Sequence, residues 1–339
     1  YTRIVKFNAV ENFDTDEVML ATLREFATQH PAERKIVLGC TDDYAALIIR
    51  NREALQRDYI VPYIGSQLMD KLVSKESFYR LCEEYDIPYP KTLIVHGAQE
   101  ADRLAGIDFA YPIIIKPSSS ILYWKYPFDG MKKVYVAETA QEAQEIIAII
   151  YASGYPDSLI VQDLIPGADD GMRVLTAYSD RNAKVKMVCL GNVLLEEHTP
   201  KARGNHAAII TEYDRPLMAK LTGFLEAVGH TGFANFDIKF DTRDGRYKGF
   251  AIHLRQGRSN YYVTGAGLSI ARYVADDRVL QKDLGDPVFF DRETYWHSIP
   301  NKVVWEYTAD ETLVKRAQAI VAAGRDTTAL GYKYDTFLN

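Results

Sequence analysis

Residues 255–260 read RQGRSN, a stretch of guanidiniums, amides and a hydroxyl with no carboxylate among them. Such a loop suits an anionic ligand, a phosphate or a carboxylate, because its groups donate and have nothing acidic of their own to satisfy. Upstream, FANFDIKFD (233–241) alternates at the strand period, which puts Phe236, Ile238 and Phe240 on one face and Asn235, Asp237 and Lys239 on the other. The turn residues Thr242, Arg243, Asp244 and Gly245 then lead into a second apolar run, 249–254. The two runs predict a hairpin that brings Asp237 close to the end of FAIHLR.

Other clusters have a similar character. Lys116 ends the isoleucine-rich PIIIK next to Ser118 and Ser119, where its ammonium can reach a phosphate while hydroxyls and backbone amides donate. In GMKKV, Gly130 frees the backbone to approach a ligand ahead of Lys132 and Lys133. LIVQDLIPGADD (159–170) is an apolar strand that ends in Gln162 and Asp163 and breaks at Pro166 and Gly167. It can offer edge amides and carbonyls to a planar base, with Asp169 or Asp170 reaching a ribose. In the polar loop 199–206, Lys201, Arg203 and Asn205 either touch phosphate or a second substrate or serve only as a connector. Each cluster alone is equally compatible with ordinary surface; their order along the chain is the informative feature.

Lys75 in a helix leading to IPYP, then PIIIKP, GMKKV, LIVQDLIPG, NFDIKFD and HLRQGRSNYY, follow one another as in the ATP-grasp superfamily. From about Asp16 onward the chain resembles its carboxylate-amine ligases, most of all those near D-aspartate ligase and more distantly D-alanine:D-alanine ligase. The resemblance implies ATP as cofactor, with Lys75 and Lys116 on its α- and β-phosphates and residues 118–133 as a flexible covering loop that carries Ser118, Ser119 and Lys133. It implies an adenine pocket lined by Gln162, Asp163, Leu164 and Ile165, and a ribose carboxylate at Asp169, with Asp170 in reserve. Arg255 is expected to face an acyl phosphate and act in catalysis with Lys116. Arg258, Ser259 and Asn260 are expected to hold the carboxylate or amino-acid substrate.

The implied reaction is attack of a carboxylate on the γ-phosphate of ATP, followed by attack of an amine on the acyl phosphate, with release of ADP and phosphate. Mg2+ (or Mn2+) is the implied metal, held by Asp237 and by an E-x-N motif on the second hairpin strand. Here the chain departs from the pattern. FEIN is expected and Phe250, Ala251, Ile252 and His253 are found, so the metal set contracts to Asp237 and His253. Magnesium prefers oxygen ligands. Three readings stay open: altered residues, another carboxylate such as Asp241 or a metal tolerant of histidine, or a nucleotide-binding protein with impaired turnover.

Strands alternate with helices at the start of the chain: a strand over 2–7, a helix over 15–29, a strand over 35–40, a helix over 42–55, an extended segment over 59–64, and one long helix over 68–85. The fold class expected is α/β with α+β lobes, a Rossmann-like pre-ATP-grasp domain over 1–90 and a two-lobed ATP-grasp domain over 91–339 with its lid at about 108–163. The opening strand and the absence of an initiator methionine point to residues upstream. A capping box at Thr139 and Glu142 starts a helix over 139–153. With 339 residues, net charge −6 and no block of like charge, a nucleic-acid partner is not expected. Three scattered cysteines suit a reducing compartment, and no apolar run is long enough for a membrane span, so a cytoplasmic protein acting on small-molecule carboxylate and amine substrates is expected, one of them an amino acid. A homodimer is left open. No GxGxxG follows a strand, which weighs against a dinucleotide-dependent oxidoreductase.

Overall fold

The computed structural model describes residues 5–199 and 204–328, without the side chains of Ser120 and Ile121. The first lobe is built from α1 (Asp16–Gln29), α2 (Asp42–Arg50), α3 (Arg52–Leu55), α4 (Ser66–Val73) and α5 (Lys75–Glu84). Thr41 caps α2 by accepting the Tyr44 N–H, and Asp42 and Asp43 in the first turn complement the helix dipole. The parallel sheet expected here reduces to one bridge, Ile36 opposite Ile60, and residues 5–10 carry no regular structure. Without flanking strands to pair with, two short extended segments do not make a sheet. The rest of the opening strand, Thr2 to Ile4, lies outside the described residues. The single helix read over 68–85 is two, because Ser74 leaves the helical region at ψ 120° and its hydroxyl accepts the Ser77 N–H. A serine that can satisfy an orphan amide prefers that cap to a mid-helix position. Lys75 is therefore the first residue of α5 and not near the middle of a helix.

The lid is a four-stranded antiparallel sheet, β1 (Thr92–Val95), β2 (Ile113–Pro117), β3 (Tyr135–Ala137) and β4 (Leu159–Asp163), in the order β1-β4-β2-β3. The one-turn α6 (Ser120–Tyr123) follows β2, and α7 (Ala140–Ala152) lies against the sheet through Ala143, Ile147 and Ile150. Thr139 caps α7 as expected, but the Glu142 carboxylate takes the Glu138 N–H, one residue earlier than a capping box would have it. The lid has its own apolar core, running from Val95 to Val161 in sequence.

The remainder forms an eight-stranded sheet. Its strands are β5 (Met172–Ser179), β6 (Val185–Glu196), β7 (His206–Glu212), β8 (Gly232–Asp241), β9 (Arg246–His253), β10 (Val288–Phe289), β11 (Tyr295–His297) and β12 (Asp326–Thr328). They run β12-β11-β7-β6-β5-β8-β9, with β10 beside β6. Helix α8 (Arg215–Ala227) crosses between β7 and β8, while α9 (Tyr261–Gly265), α10 (Ile270–Val274), α11 (Asn301–Tyr307) and α12 (Glu311–Ala322) follow the hairpin. The central strands β5 and β6 are buried along nearly their whole length because both faces are covered. Leu175 and Ala177 of β5 face the first-lobe helices and α8, and Val174 and Tyr178 face α9 and α10. The core of the first lobe (Ile48, Leu72, Phe78) runs without a break into that under the sheet (Leu190, Phe236, Ile252).

Gly232 locks the start of the hairpin to the first lobe. Its φ is +90°, and a Cβ there would stand 2.3 Å from the Pro62 carbonyl oxygen. Gly232→Ala is therefore expected to destabilise the fold by about 2 kcal/mol or more, from left-handed strain plus a clash with backbone that has no rotamer to move. Urea unfolding checks this; an unchanged midpoint would reject it.

Candidate active site

Three lobes meet at Phe250 on β9. The Lys75 ammonium donates to the Phe250 carbonyl at 3.0 Å, and the Lys116 ammonium lies 5.6 Å from the centre of its ring. Burial is the largest influence on both lysines and lowers their pKa values. Lys116 is brought down to about 7, with the charges of Lys75 and Lys133 adding to burial and that of Asp237 opposing it. Two half-buried ammonium groups that converge on one residue gain from an anion between them.

Lys116 also donates to the Gln162 side-chain oxygen at 3.0 Å. The Gln162 amide nitrogen donates in turn to the Tyr79 hydroxyl and to Thr92 Oγ1, each at 2.8 Å, so residues of α5 and β1 together fix the lysine. The backbones of Gln162 and Asp163 are not an edge. β4 is an interior strand, with Gln162 opposite Thr92 on one side and Ile114 on the other, and the Asp163 N–H bonds the Lys91 carbonyl at 2.9 Å. The chain leaves the ladder only at Leu164 and Ile165. The Asp163 carboxylate is occupied by Arg243, at 3.0 and 2.5 Å, and Arg243 also binds Asp241, which Lys248 reaches at 2.6 Å. Asp241 is thus buried and fully paired, and does not stand in as a further metal ligand.

Asp169 accepts the Glu196 N–H at 2.9 Å and lies 2.6 Å from His198 Nε2, tying the turn after the lid to the end of β6. Ser118 Oγ pairs with Ser158 Oγ at 2.8 Å, and Ser119 Oγ accepts the Leu122 N–H at 3.2 Å. The stretch 118–133 carries the turn of α6 and is pinned by the Tyr135 hydroxyl, which meets the Tyr123 hydroxyl and the Lys132 N–H, each at 2.8 Å. It is a structured flap.

At the hairpin end Asp237 stands opposite Ala251, and its Oδ2 lies 3.1 Å from His253 Nε2. His253 Nδ1 lies 3.1 Å from Asp42 Oδ1, and Asp42 Oδ2 accepts from Arg255 Nη2 at 2.8 Å. Arg255 Nη1 donates to the Gln256 carbonyl, Asn235 holds the Arg255 carbonyl, and Arg255 Nε is buried without a protein partner. Sequence reasoning missed Asp42, whose place in the first turn of a helix already explains a carboxylate. Its contacts with the hairpin span more than two hundred residues. Burial works against the Asp237 charge, but the hydrogen bond and charge of His253 outweigh it and hold the carboxyl at about 2. Burial likewise opposes a charged His253, and Asp237 and Asp42 overcome it, raising the imidazole to about 9. Glu196 is pushed up to about 7 by burial and by Asp169 and Asp237.

Of the expected substrate residues, Arg258 is exposed and paired with Glu197, whereas Ser259 and Asn260 are buried, Asn260 beneath the loop at 3.5 Å from Thr176 Oγ1. Lys201 and Arg203 lie outside the described residues. Beside the loop is a cavity of about 390 Å³ lined by uncharged residues, among them Ile36, Leu38, Gln256 and Thr264. A magnesium site on the hairpin does not fit the donors present. Asp237 gives one oxygen to His253, Ala251 has no ligand atom, and among the described residues no group of three or more His, Cys, Asp or Glu is arranged to hold a metal ion.

A lid sheet and a hairpin sheet closing on one cleft, with a half-buried lysine from each side, define the ATP-grasp class of fold. No model of a protein family matches the chain. It is 39% identical over 348 residues to the D-aspartate ligase of Enterococcus faecium (strain Aus0004), across 99% of this chain and 82% of that protein. The chain belongs to the D-aspartate ligase family and is an ATP-dependent carboxylate-amine ligase, an enzyme that forms a carbon–nitrogen bond. Solved structures share the fold. An L-amino acid ligase from Bacillus licheniformis is 17% identical, with a TM-score of 0.57 over 86% of this chain and 68% of that one. An N5-carboxyaminoimidazole synthetase from Staphylococcus aureus complexed with ADP is 14% identical, with a TM-score of 0.61 over 87% and 71%. Among the described residues no helix is long and apolar enough to cross a membrane.

Proposed function

We propose that the cleft between lid and hairpin binds ATP with its phosphates between Lys75 and Lys116, that D-aspartate is one of the two substrates, and that an amino-group acceptor occupies the space beside the 255–260 loop. Lys133 closes over the phosphates, Leu164 and Ile165 present free backbone to the adenine, and Asp169 turns toward the ribose. The observation that carries this reading is the convergence of Lys75 and Lys116, from different lobes, on Phe250.

A substrate carboxylate oxygen attacks the γ-phosphorus, the bond to the leaving ADP oxygen breaks, and an acyl phosphate forms. The amine then attacks the acyl carbon, loses a proton, and expels phosphate. The protein's share is to place the partners and to meet developing negative charge with fixed cations. Lys116 and Arg255 are the two best placed, with Arg258 at the outer end of the loop to receive a substrate carboxylate. Residues 1–90 serve as the pre-ATP-grasp lobe and 91–339 as the ATP-grasp domain. A cytoplasmic setting accompanies this reading.

The test is ADP release on mixing ATP and D-aspartate with a panel of amines. Turnover that requires both D-aspartate and one class of amine is expected. Tight nucleotide binding with no ADP formed across acid and amine pairs would leave only a nucleotide-binding role.

A further inference from the structure

The misfit at the hairpin has a definite content. His253 is bonded through both nitrogens to carboxylates, Nε2 to Asp237 and Nδ1 to Asp42, each at 3.1 Å. Both ring nitrogens are therefore taken up by protein carboxylates. The charged and titratable groups facing this ring are Asp237 on β8, Asp42 on α2 and, more distantly, His206 on β7. Arg255 shares Asp42 with it, at 2.8 Å, so His253 and Arg255 are fixed to one first-lobe carboxylate. Directly across from Asp237 is the methyl of Ala251.

We infer that in this chain the place beside Asp237 is filled by the His253 side chain, bridged between Asp237 and Asp42, and that a divalent metal reaches the cleft only as the counter-ion of the nucleotide's phosphates. The inference rests on the nucleotide site proposed above. Asp42 makes the clamp a cross-lobe device: it holds the first lobe against the end of the hairpin and sets the angle of Arg255.

The experiment uses the full chain and two probes, Mn2+ and ADP. Electron paramagnetic resonance counts bound Mn2+ with and without ADP, and calorimetry measures ADP affinity in EDTA and in Mn2+. Without ADP no stoichiometric Mn2+ binding is expected, and with ADP a single ion. Wild-type ADP affinity should differ by less than about threefold between EDTA and Mn2+, whereas an Ala251→Glu, His253→Asn double variant, which restores two oxygen ligands, should show a difference of about tenfold or more. Two Mn2+ ions per chain in the wild-type ADP complex, or a tenfold loss of wild-type ADP affinity in EDTA, would overturn the inference while leaving the nucleotide site standing. Failure to bind ADP under every condition would overturn the nucleotide site and the inference with it. The wild-type arms decide the matter even where the double variant fails to fold.

Discussion

Replacing Arg255 by lysine is expected to lower turnover by about a hundred- to a thousandfold while leaving KM for ATP within about threefold, the size of effect seen when one preorganised donor to a developing anion is removed. Arg255 is held by three contacts: Asp42 on one terminal nitrogen, the Gln256 carbonyl on the other, and Asn235 on its backbone oxygen. Its Nε is buried and has no protein partner. A donor fixed in this way loses little entropy when a phosphate or acyl oxygen arrives. Lysine keeps the charge but not the fork, so the ammonium settles on Asp42 and the Nε contact disappears. Single-turnover measurement of ADP and amide formation reads the effect directly. A turnover within threefold of wild type would remove Arg255 from the chemistry.

The second large effect belongs to Lys116. Lys116→Met is expected to lower kcat/KM for ATP about a hundredfold, since a charge-assisted bond to phosphate is lost from a half-buried position. The pH behaviour is more specific. Burial and the neighbouring Lys75 depress Lys116 to about 7 in the free protein, so its ammonium loses its proton as pH rises above neutrality. A triphosphate favours the charged form and raises that pKa again, so binding takes up a proton. Affinity should then be highest below about pH 7 and decline as pH rises toward the ordinary lysine value near 10.5, where charging the amine costs most. Calorimetry at pH 8.5 in buffers of different ionisation enthalpy measures the uptake, at a pH where the terminal phosphate is already fully ionised. Because His253 also titrates in this range, the decisive quantity is the difference between wild type and Lys116→Met. Equal uptake by the two would refute the assignment.

Much of this was legible in the linear chain. Alternation in FANFDIKFD and the turn residues after it predicted β8 and β9 and placed Asp237 near His253, because strand period and turn chemistry are local properties. The order of lysines, glycines and the RQGRSN loop pointed to the family and the reaction class. Local signals were weaker where they competed: Ser74 is a cap and breaks one helix into two, and the first-lobe extended segments keep only a single bridge.

What the chain alone determined is the inventory, meaning which strands, which lysines, and which two residues replace the expected metal ligands. Tertiary structure decided how that inventory is spent. Gln162 steadies Lys116, Asp163 is taken by Arg243, Asn260 is turned beneath its loop, and Asp42 crosses from the first lobe to hold His253 and Arg255. A side chain's partners depend on what packs opposite it, and contacts between residues two hundred positions apart leave no periodicity for the sequence to display.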